Sequence, residues 1–484
     1  MTTYVIDLSG DDGKFIKYSE AEQTPLDILR LAADRRIDMI MIGDSNQAHS
    51  GFGWDHGVQY ALENTFGAYA TGLLFNGGSG LGVGYNYSTL TDTLATAGAP
   101  DGVAKYATGL GPSRYGYLES GTYSGANGNK LLSTSSIDVN SALRFHFCYH
   151  TFATGSGSFK PGVRLENSPY SVIQMGDVIS TNTGIDGVAL TSVDIPAGTR
   201  NVNVSGKYTI PGQTPITGPF AAHYTRIERP DRTAGVSVHT AYGVGGAGLY
   251  AMASAMLAAP DESIALMLAE TRRLQAANGD SPKVVVWINS GVNDRNQTTQ
   301  PSLGPGAFTD PDGADAYVDN LTALVSRIEE VYAGQGWDIS ELYWLIVPSH
   351  PVSDPDDAEL QAYRVAAEAW AAARDRAQVF DFSDYITSAA MLSGGYYQAG
   401  GADKNHLTQA GYEALSSILV GRVPIGTWQN YDSGVDQVAL PKLSRHYEIK
   451  DGPGATHLAD SNGADATGAE LFNVGDSDWS RSKT

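Results

Sequence analysis

The chain has 484 residues, 42% of them hydrophobic, which is enough for two or three domains with buried cores. Its 31 lysines and arginines face 53 aspartates and glutamates, and the net charge of −22 argues against unspecific binding to nucleic acid or to an anionic membrane. A single cysteine excludes an intrachain disulfide framework. Residues 1–9 show no basic stretch followed by a long apolar one, so no secretion signal is visible, and no apolar run is long enough to cross a membrane. Such a chain fits a phage virion component released by lysis as well as a cytoplasmic enzyme.

The apolar run Ile40-Met41-Ile42 ends abruptly in Gly43-Asp44-Ser45-Asn46. A strand that stops and presents a serine at its carboxyl end is how an open α/β sheet displays a nucleophile; the plainer reading is a turn with polar neighbours. His49 and His56 follow and are expected near the pocket without a specific role.

From about residue 73 to 233 the composition shifts to Gly, Ser, Thr, Asn and Tyr, with little helical periodicity. An ordinary connection of about 4–6 residues does not explain this length. The run from Leu143 to His150 alternates in polarity and Asn201 to Ser205 repeats the habit, so the stretch is expected to be an inserted β-sandwich or jelly roll. Tyr85, Tyr87, Tyr115, Tyr117 and Tyr123 are candidates for stacking on sugar rings, or else ordinary β packing. His146 and His150 share a strand face but stand about 13 Å apart, too far for one ion, and His146 with Cys148 makes only a pair; no metal is expected.

Val236 to Tyr242 then reads as a strand, and Gly243-Val244-Gly245-Gly246 with Gly248 as a glycine turn before a helix, where free amides make an anion cradle. Val284 to Ile288 reads as a buried parallel strand with Asn293 in the loop beyond it, an amide that either donates to a developing oxyanion or closes an Asx turn. A helix with Tyr317, Leu321, Leu324, Ile328 and Val331 on one face follows the capping-rich run from Asp310 to Gly313, which lacks the remaining ligands of a calcium loop. The strand Leu342 to Val347 stops at Pro348, with His350 beyond it. A helix through Leu360, Tyr363, Ala367 and Trp370 opens at Asp354 to Asp357, and a short strand spans Gln378 to Phe382. Asp403 and His406, three apart before the helical pattern from Gln409, are either an orienting carboxylate with a general base or a helix start capped by Asp403 or Thr408. After about Gly421 the chain turns rich in Gly, Asp and Ser.

Taken in this order, four blocks resemble the SGNH (GDSL-type) hydrolase superfamily: Gly43-Asp44-Ser45-Asn46, Gly243 to Gly246, Gly291-Val292-Asn293-Asp294, and Asp403 to His406. The resemblance implies Ser45 as nucleophile, His406 as base and Asp403 as its orienter. It implies the Ser45 and Gly246 amides with the Asn293 side chain as oxyanion hole, with Gly245 or Gly248 as alternatives to Gly246. It also implies an α/β fold, a three-layer sandwich around a five-stranded parallel sheet of flavodoxin-like kind. The expected organisation is a first part of the hydrolase core at 1–72, the inserted β-rich domain at 73–233, the second part of the core at 234–424 and a Gly/Asp/Ser-rich extension at 425–484.

The resulting expectation is a serine esterase that removes an acyl group, acetyl foremost, from a carbohydrate or polysaccharide through an acyl-enzyme, with no cofactor. The carbohydrate part rests on the inserted module alone. A lipase or thioesterase substrate, and a glycan-binding adhesin or virion structural protein on a hydrolase-like scaffold, are the alternatives. Expected partners are the acylated carbohydrate and, through the C-terminal extension, an oligomer or virion assembly.

Overall fold

The computed structural model describes residues 4–7, 14–17, 23–33, 35–47, 53–66, 73–75, 103–104, 117–119, 137–138, 143–154, 158–159, 162–165, 172–175, 177–185, 187–195, 201–205, 220–228, 233–243, 246–295, 313–352, 358–421, 472–475 and 478–481. His49, Tyr85, Tyr87, Tyr115, Tyr123, Asp310 to Asp312, Asp354 to Asp357 and most of the extension at 425–484 lie outside them.

Five strands pair into one sheet. In the numbering used below these are β1 (Arg36–Gly43), β2 (Gly235–Gly243), β3 (Val284–Ser290), β4 (Leu342–Pro348) and β5 (Ala377–Val379), arranged in the order β2-β1-β3-β4-β5. Every pairing is parallel. Residues of β1, β3 and β4 are buried along their whole length, which is why Met39 to Ile42, Val284 to Ile288 and Leu342 to Val347 read as continuous apolar runs rather than alternating ones.

Each strand sends alternate side chains to opposite faces. On one face Ile40, Ile42, Val286, Ile288, Trp344 and Ile346 pack under α3 (Leu249–Ala258), α4 (Asp261–Ala277), α5 (Ala314–Gly334) and α6 (Ala358–Ala372). On the other, Met39, Met41, Val285, Trp287, Leu345 and Val347 pack under α1 (Pro25–Arg30), α2 (Trp54–Phe66) and α7 (Gln409–Val420). The result is the three-layer α/β sandwich expected. The face predicted for α5 is the buried one, since Tyr317, Leu321, Leu324, Ile328 and Val331 all enter the core. At its start Gly313 is the N-cap in a left-handed conformation (φ 77°), without a side-chain cap.

Two local details differ from expectation. The last strand ends at Val379, not Phe382, because the Asp381 carboxylate accepts both the Ser383 amide and its hydroxyl, winding 382–384 into a 3-10 turn. A second feature is a buried polar cluster toward the amino end of β1. Arg36 and His239 Nε2 both donate to Asp38, at 3.1 and 2.8 Å, and Gln275 of α4 adds a third donor at 2.8 Å. Asp38 and His239 are fully buried.

Between α2 and β2 the chain builds antiparallel strands. Leu143–Thr151, Gly187–Ile195 and Phe220–Glu228 lie in a six-stranded sheet, and Gly162–Leu165, Val172–Met175 and Asn201–Ser205 in a four-stranded one. Leu143–Thr151 and Gly187–Ile195 pair over nine residues without a slip. These strands rest on the α/β body: Cys148 is fully buried in the cluster that holds Ile40 and Leu268, and Val188 and Leu190 pack against it. His146 Nδ1 meets Ser192 Oγ at 2.7 Å on the neighbouring strand. No single helix among the described residues is long and apolar enough to cross a membrane.

Candidate active site

A strand order of 2-1-3-4-5 has its switch point between β1 and β3, where the outgoing chain departs in opposite directions and leaves a crevice at the carboxyl ends. Ser45 follows β1 and Asn293 follows β3, so both edges of that crevice carry a residue singled out in the sequence. The turn after β1 is tight: the Gln47 amide donates to the Asp44 carbonyl at 3.1 Å, and a Cβ on Gly43 would sit 2.8 Å from the Gln47 Cβ. Trp54, fully buried and stacked on Phe382 with centroids 5.0 Å apart, anchors the far side of the turn by donating its amide to the Asn46 carbonyl. The α2 and α7 helices close tightly behind it, since a Cβ on Gly57 would lie 2.5 Å from the Tyr412 carbonyl oxygen.

Ser45 Oγ is 2.9 Å from His406 Nε2, and His406 Nδ1 is 2.8 Å from Asp403 Oδ2. A carboxylate only accepts, so Nδ1 carries the proton and Nε2 is left to accept from the serine hydroxyl. The Asp403–Leu407 strand pairs with Tyr397–Gln398, and Thr408 caps α7 by accepting the Gly411 amide at 3.2 Å. Asp403 Oδ1 also accepts the amides of Asn405 and His406, at 3.0 and 3.3 Å. Partial burial works to raise the Asp403 pKa, but the His406 ring and these two amides together hold it below the ordinary carboxylate value. Thr408 thus caps α7, while Asp403 bonds the His406 ring and two amides of its own loop. The Asp403 and His406 side chains remain 37% and 25% exposed, open enough for a substrate to reach.

Asn293 lies in the single helical turn Val292–Arg295 beyond β3. Its Nδ2 donates to Asp44 Oδ2 at 3.1 Å and to the Ala247 carbonyl at 3.2 Å, so both amide hydrogens have partners at rest. Gly246 adopts a left-handed φ of 75° and is exposed, with open space around its Cβ direction. Gly248 is the N-cap of α3, and Gly245 lies outside the described residues.

Sequence reasoning did not assign the acids beside these groups. Burial pushes Asp44 up to about 6, against the Asn46 amides and the positive field of His406. Burial likewise pushes Asp294 up to about 6, helped by the Asp44 charge and opposed by the amides of Leu249 and Gly291. Asp294 accepts those two amides at 2.7 and 3.0 Å, tying the start of α3 to the end of β3. Asn46 Oδ1 accepts the Tyr412 hydroxyl at 2.7 Å. The neighbourhood of Asp44 and Asp294 to the serine and the asparagine was the only available signal; a bond spanning from residue 46 to 412 leaves none.

His350, expected at a strand end without a role, is buried behind the loop that carries His406: its Nε2 meets the Lys404 carbonyl at 3.1 Å. Burial lowers its pKa to about 4, so the ring is neutral and Nε2 donates. Arg364, paired with Asp381 at 3.3 Å, donates to the adjacent Ser349 carbonyl. His56 instead joins two helices, with Nε2 2.9 Å from Glu413 Oε1. Among the described residues no group of three or more His, Cys, Asp or Glu side chains is placed to hold a metal ion.

Residues 220–414 match the model of the GDSL-like Lipase/Acylhydrolase family. The matched span carries the glycine turn, Asn293 and the Asp403–His406 segment; Ser45 stands before it in the chain and reaches the site through β1. No curated protein matches the chain. Similar solved structures include one described as a putative platelet activating factor from Streptococcus pneumonia, at 16% identity over 39% of this chain and 73% of that one, with a TM-score of 0.26. A carbohydrate esterase family 2 enzyme with a carbohydrate binding domain from Corynascus thermopiles (Myceliophthora fergusii) is 14% identical over 60% of this chain and 94% of its own, with a TM-score of 0.24. A carbohydrate acetylesterase from Sinorhizobium meliloti is 14% identical over 39% and 78%, with a TM-score of 0.23. Likenesses at these scores carry no argument about substrate. With the parallel sheet, its 2-1-3-4-5 order and the family match in agreement, residues 220–414 are a GDSL-like lipase/acylhydrolase domain of the SGNH superfamily.

Proposed function

We propose that this protein is a serine esterase that hydrolyses O-acyl esters, acetyl esters foremost, on a carbohydrate. The observation that carries the reading is the unbroken line from Ser45 Oγ to His406 Nε2 at 2.9 Å and from His406 Nδ1 to Asp403 Oδ2 at 2.8 Å. Ser45 Oγ attacks the ester carbonyl carbon while its proton passes to His406 Nε2, and Asp403 stabilises the imidazolium without taking its proton. The carbonyl oxygen becomes the oxyanion, met by the Asn293 amide and the backbone amides of Ser45 and the glycine turn. Collapse breaks the bond to the alcohol oxygen, which leaves with the proton from His406. Water then attacks the acyl-enzyme, deprotonated by the same Nε2, and Ser45 is restored. An oxyanion donor of this kind is worth about a hundred- to a thousandfold in rate.

The carbohydrate half rests on the Gly-, Ser- and Tyr-rich strands between α2 and β2, which we take as a domain over 73–233. They pack directly on the hydrolase body through Cys148, Val188 and Leu190, and a polymer held there stays close to the site. The test compares the protein with its Ser45→Ala variant on an aryl acetate and on acetylated polysaccharides, measuring released acetate. Loss of release in the variant on both is expected. Equal rates in the two proteins, or none in either, would overturn the esterase reading; release from the aryl ester alone would overturn the carbohydrate half.

A further inference from the structure

The donor assigned to the oxyanion does not stand alone, and the group that holds it is the carboxylate next to the nucleophile. Asp44 is buried to 1% exposure. Its Oδ1 accepts the Asn46 amide at 2.8 Å and the Asn46 Nδ2 at 3.2 Å, while its Oδ2 accepts Asn293 Nδ2 at 3.1 Å. Asn46 in turn accepts from Tyr412, in the first turns of the helix that follows His406. One carboxylate therefore ties together the nucleophile turn, the amide beyond β3 and the helix behind the base.

The two ends of an asparagine amide have nearly the same shape, so only their partners decide which end faces which way. Around Asn293 both partners of Nδ2 are acceptors, Asp44 Oδ2 and the Ala247 carbonyl. A buried carboxylate is unfavourable for folding unless it is well supplied with donors, and here the donors are neutral amides rather than a cation. A feature that weakens the fold at the edge of a reaction centre is more readily understood through function than through stability.

Resting on the esterase reading above, we propose that Asp44 is a positioning residue that holds the Asn293 amide with its hydrogens toward the reacting carbonyl. In the transition state Asp44 keeps one of the two N–H bonds. The other, made at rest to the Ala247 carbonyl at 3.2 Å, turns to the developing oxyanion. The nucleophile block thus contributes the serine together with the group that aims the oxyanion donor.

The test is a double-variant cycle on aryl acetate hydrolysis. Asp44→Asn keeps an oxygen for the Asn46 amide but presents an amide group to Asn293, donor against donor, so the Asn293 side chain turns. The expected result is a kcat about ten- to a hundredfold lower, part of the loss of a whole oxyanion donor, with KM little changed. The melting temperature at pH 8 is expected to equal or exceed that of the parent, since a buried charge has gone. In the Asn293→Ala background Asp44→Asn is expected to slow the enzyme no further, because the group it acts through is absent. Asp44→Ala, which removes the acceptor without adding a donor, is carried through the same cycle. Parental kcat in the Asp44 variants, effects that multiply with Asn293→Ala, or failure of both Asp44 variants to fold would each overturn the proposal. Ser45→Ala keeps the two readings apart: if it retains parental activity the esterase reading falls, whereas a dead Ser45→Ala beside a fully active Asp44→Asn sinks only the role of Asp44.

Discussion

Two histidine–aspartate pairs of the same length stand in opposite settings in this domain. His406 and Asp403 are 2.8 Å apart beyond β5, partly open to solvent, with a serine hydroxyl on the other ring nitrogen. His239 and Asp38 are also 2.8 Å apart, but on neighbouring strands inside the sheet, fully buried, with Asp38 further occupied by Arg36 and Gln275. Among the described residues the first carboxylate serves the ring and two amides, which suits it to orient the base proposed above. The second is neutralised by a guanidinium and knits β1 and β2 to α4. The difference teaches that the same His–Asp distance serves different ends according to position: on the proposed reading a pair acts as a general base where it stands at the carboxyl ends of the strands with a serine hydroxyl on its second nitrogen.

The sharpest way to break this comparison is to remove each ring. His406→Ala is expected to lower kcat on an aryl acetate by roughly four orders of magnitude or more, as loss of the base does in related triads. His239→Gln should leave kcat per folded molecule unchanged while lowering the urea midpoint. A matching loss of kcat in both variants would mean that the buried pair takes part in the chemistry.

Next in size is Asp38→Ala, which removes the carboxylate that the fully buried Arg36 donates to. Breaking one partner of such a pair typically costs about 3–5 kcal/mol, to be read from urea unfolding. A change within error would show that Arg36 finds water or another acceptor and that the cluster does not hold the sheet.

The smallest effect concerns the ring behind the base. Burial holds the His350 pKa near 4 in the fold, below its ordinary 6.5, so its contribution is complete above pH 6.5 and is lost as the pH falls toward 4. A shift of that size corresponds to about 3 kcal/mol. Asp44 and Asp294, pushed up to about 6, titrate in the opposite sense but do so in both proteins and cancel when parent and His350→Gln are compared. The stability gap between them, measured by urea unfolding at pH 7 and pH 4, should narrow on acidification. A constant gap would place His350 in contact with water.

The parallel strands and the amphipathic face of α5 were legible because burial on both faces of a strand, or on one stripe of a helix, writes a period into the chain. The α/β class followed from the alternation of those periods. The end of β5 was misplaced because Asp381, which winds the chain into a turn, looks in sequence like any polar residue after a strand. His239 carried no sign of its partner, since Asp38 lies about 200 positions earlier and meets it only through strand pairing.

What the sequence determined by itself was a set of polar candidates placed at strand ends and loops: Ser45 after an apolar run, Asn293 after another, and Asp403 with His406 on one short stretch. Local chemistry suffices there, because a strand stop, an Asx-like turn and an i,i+3 carboxylate are decided within a few residues. Only the tertiary structure decided that Ser45 lies 2.9 Å from His406, that Asp44 accepts from Asn293, and that His239 with Asp38 is sealed away. Those outcomes depend on sheet order and on burial, which single out one partner among many chemically equivalent ones and set the protonation each group prefers.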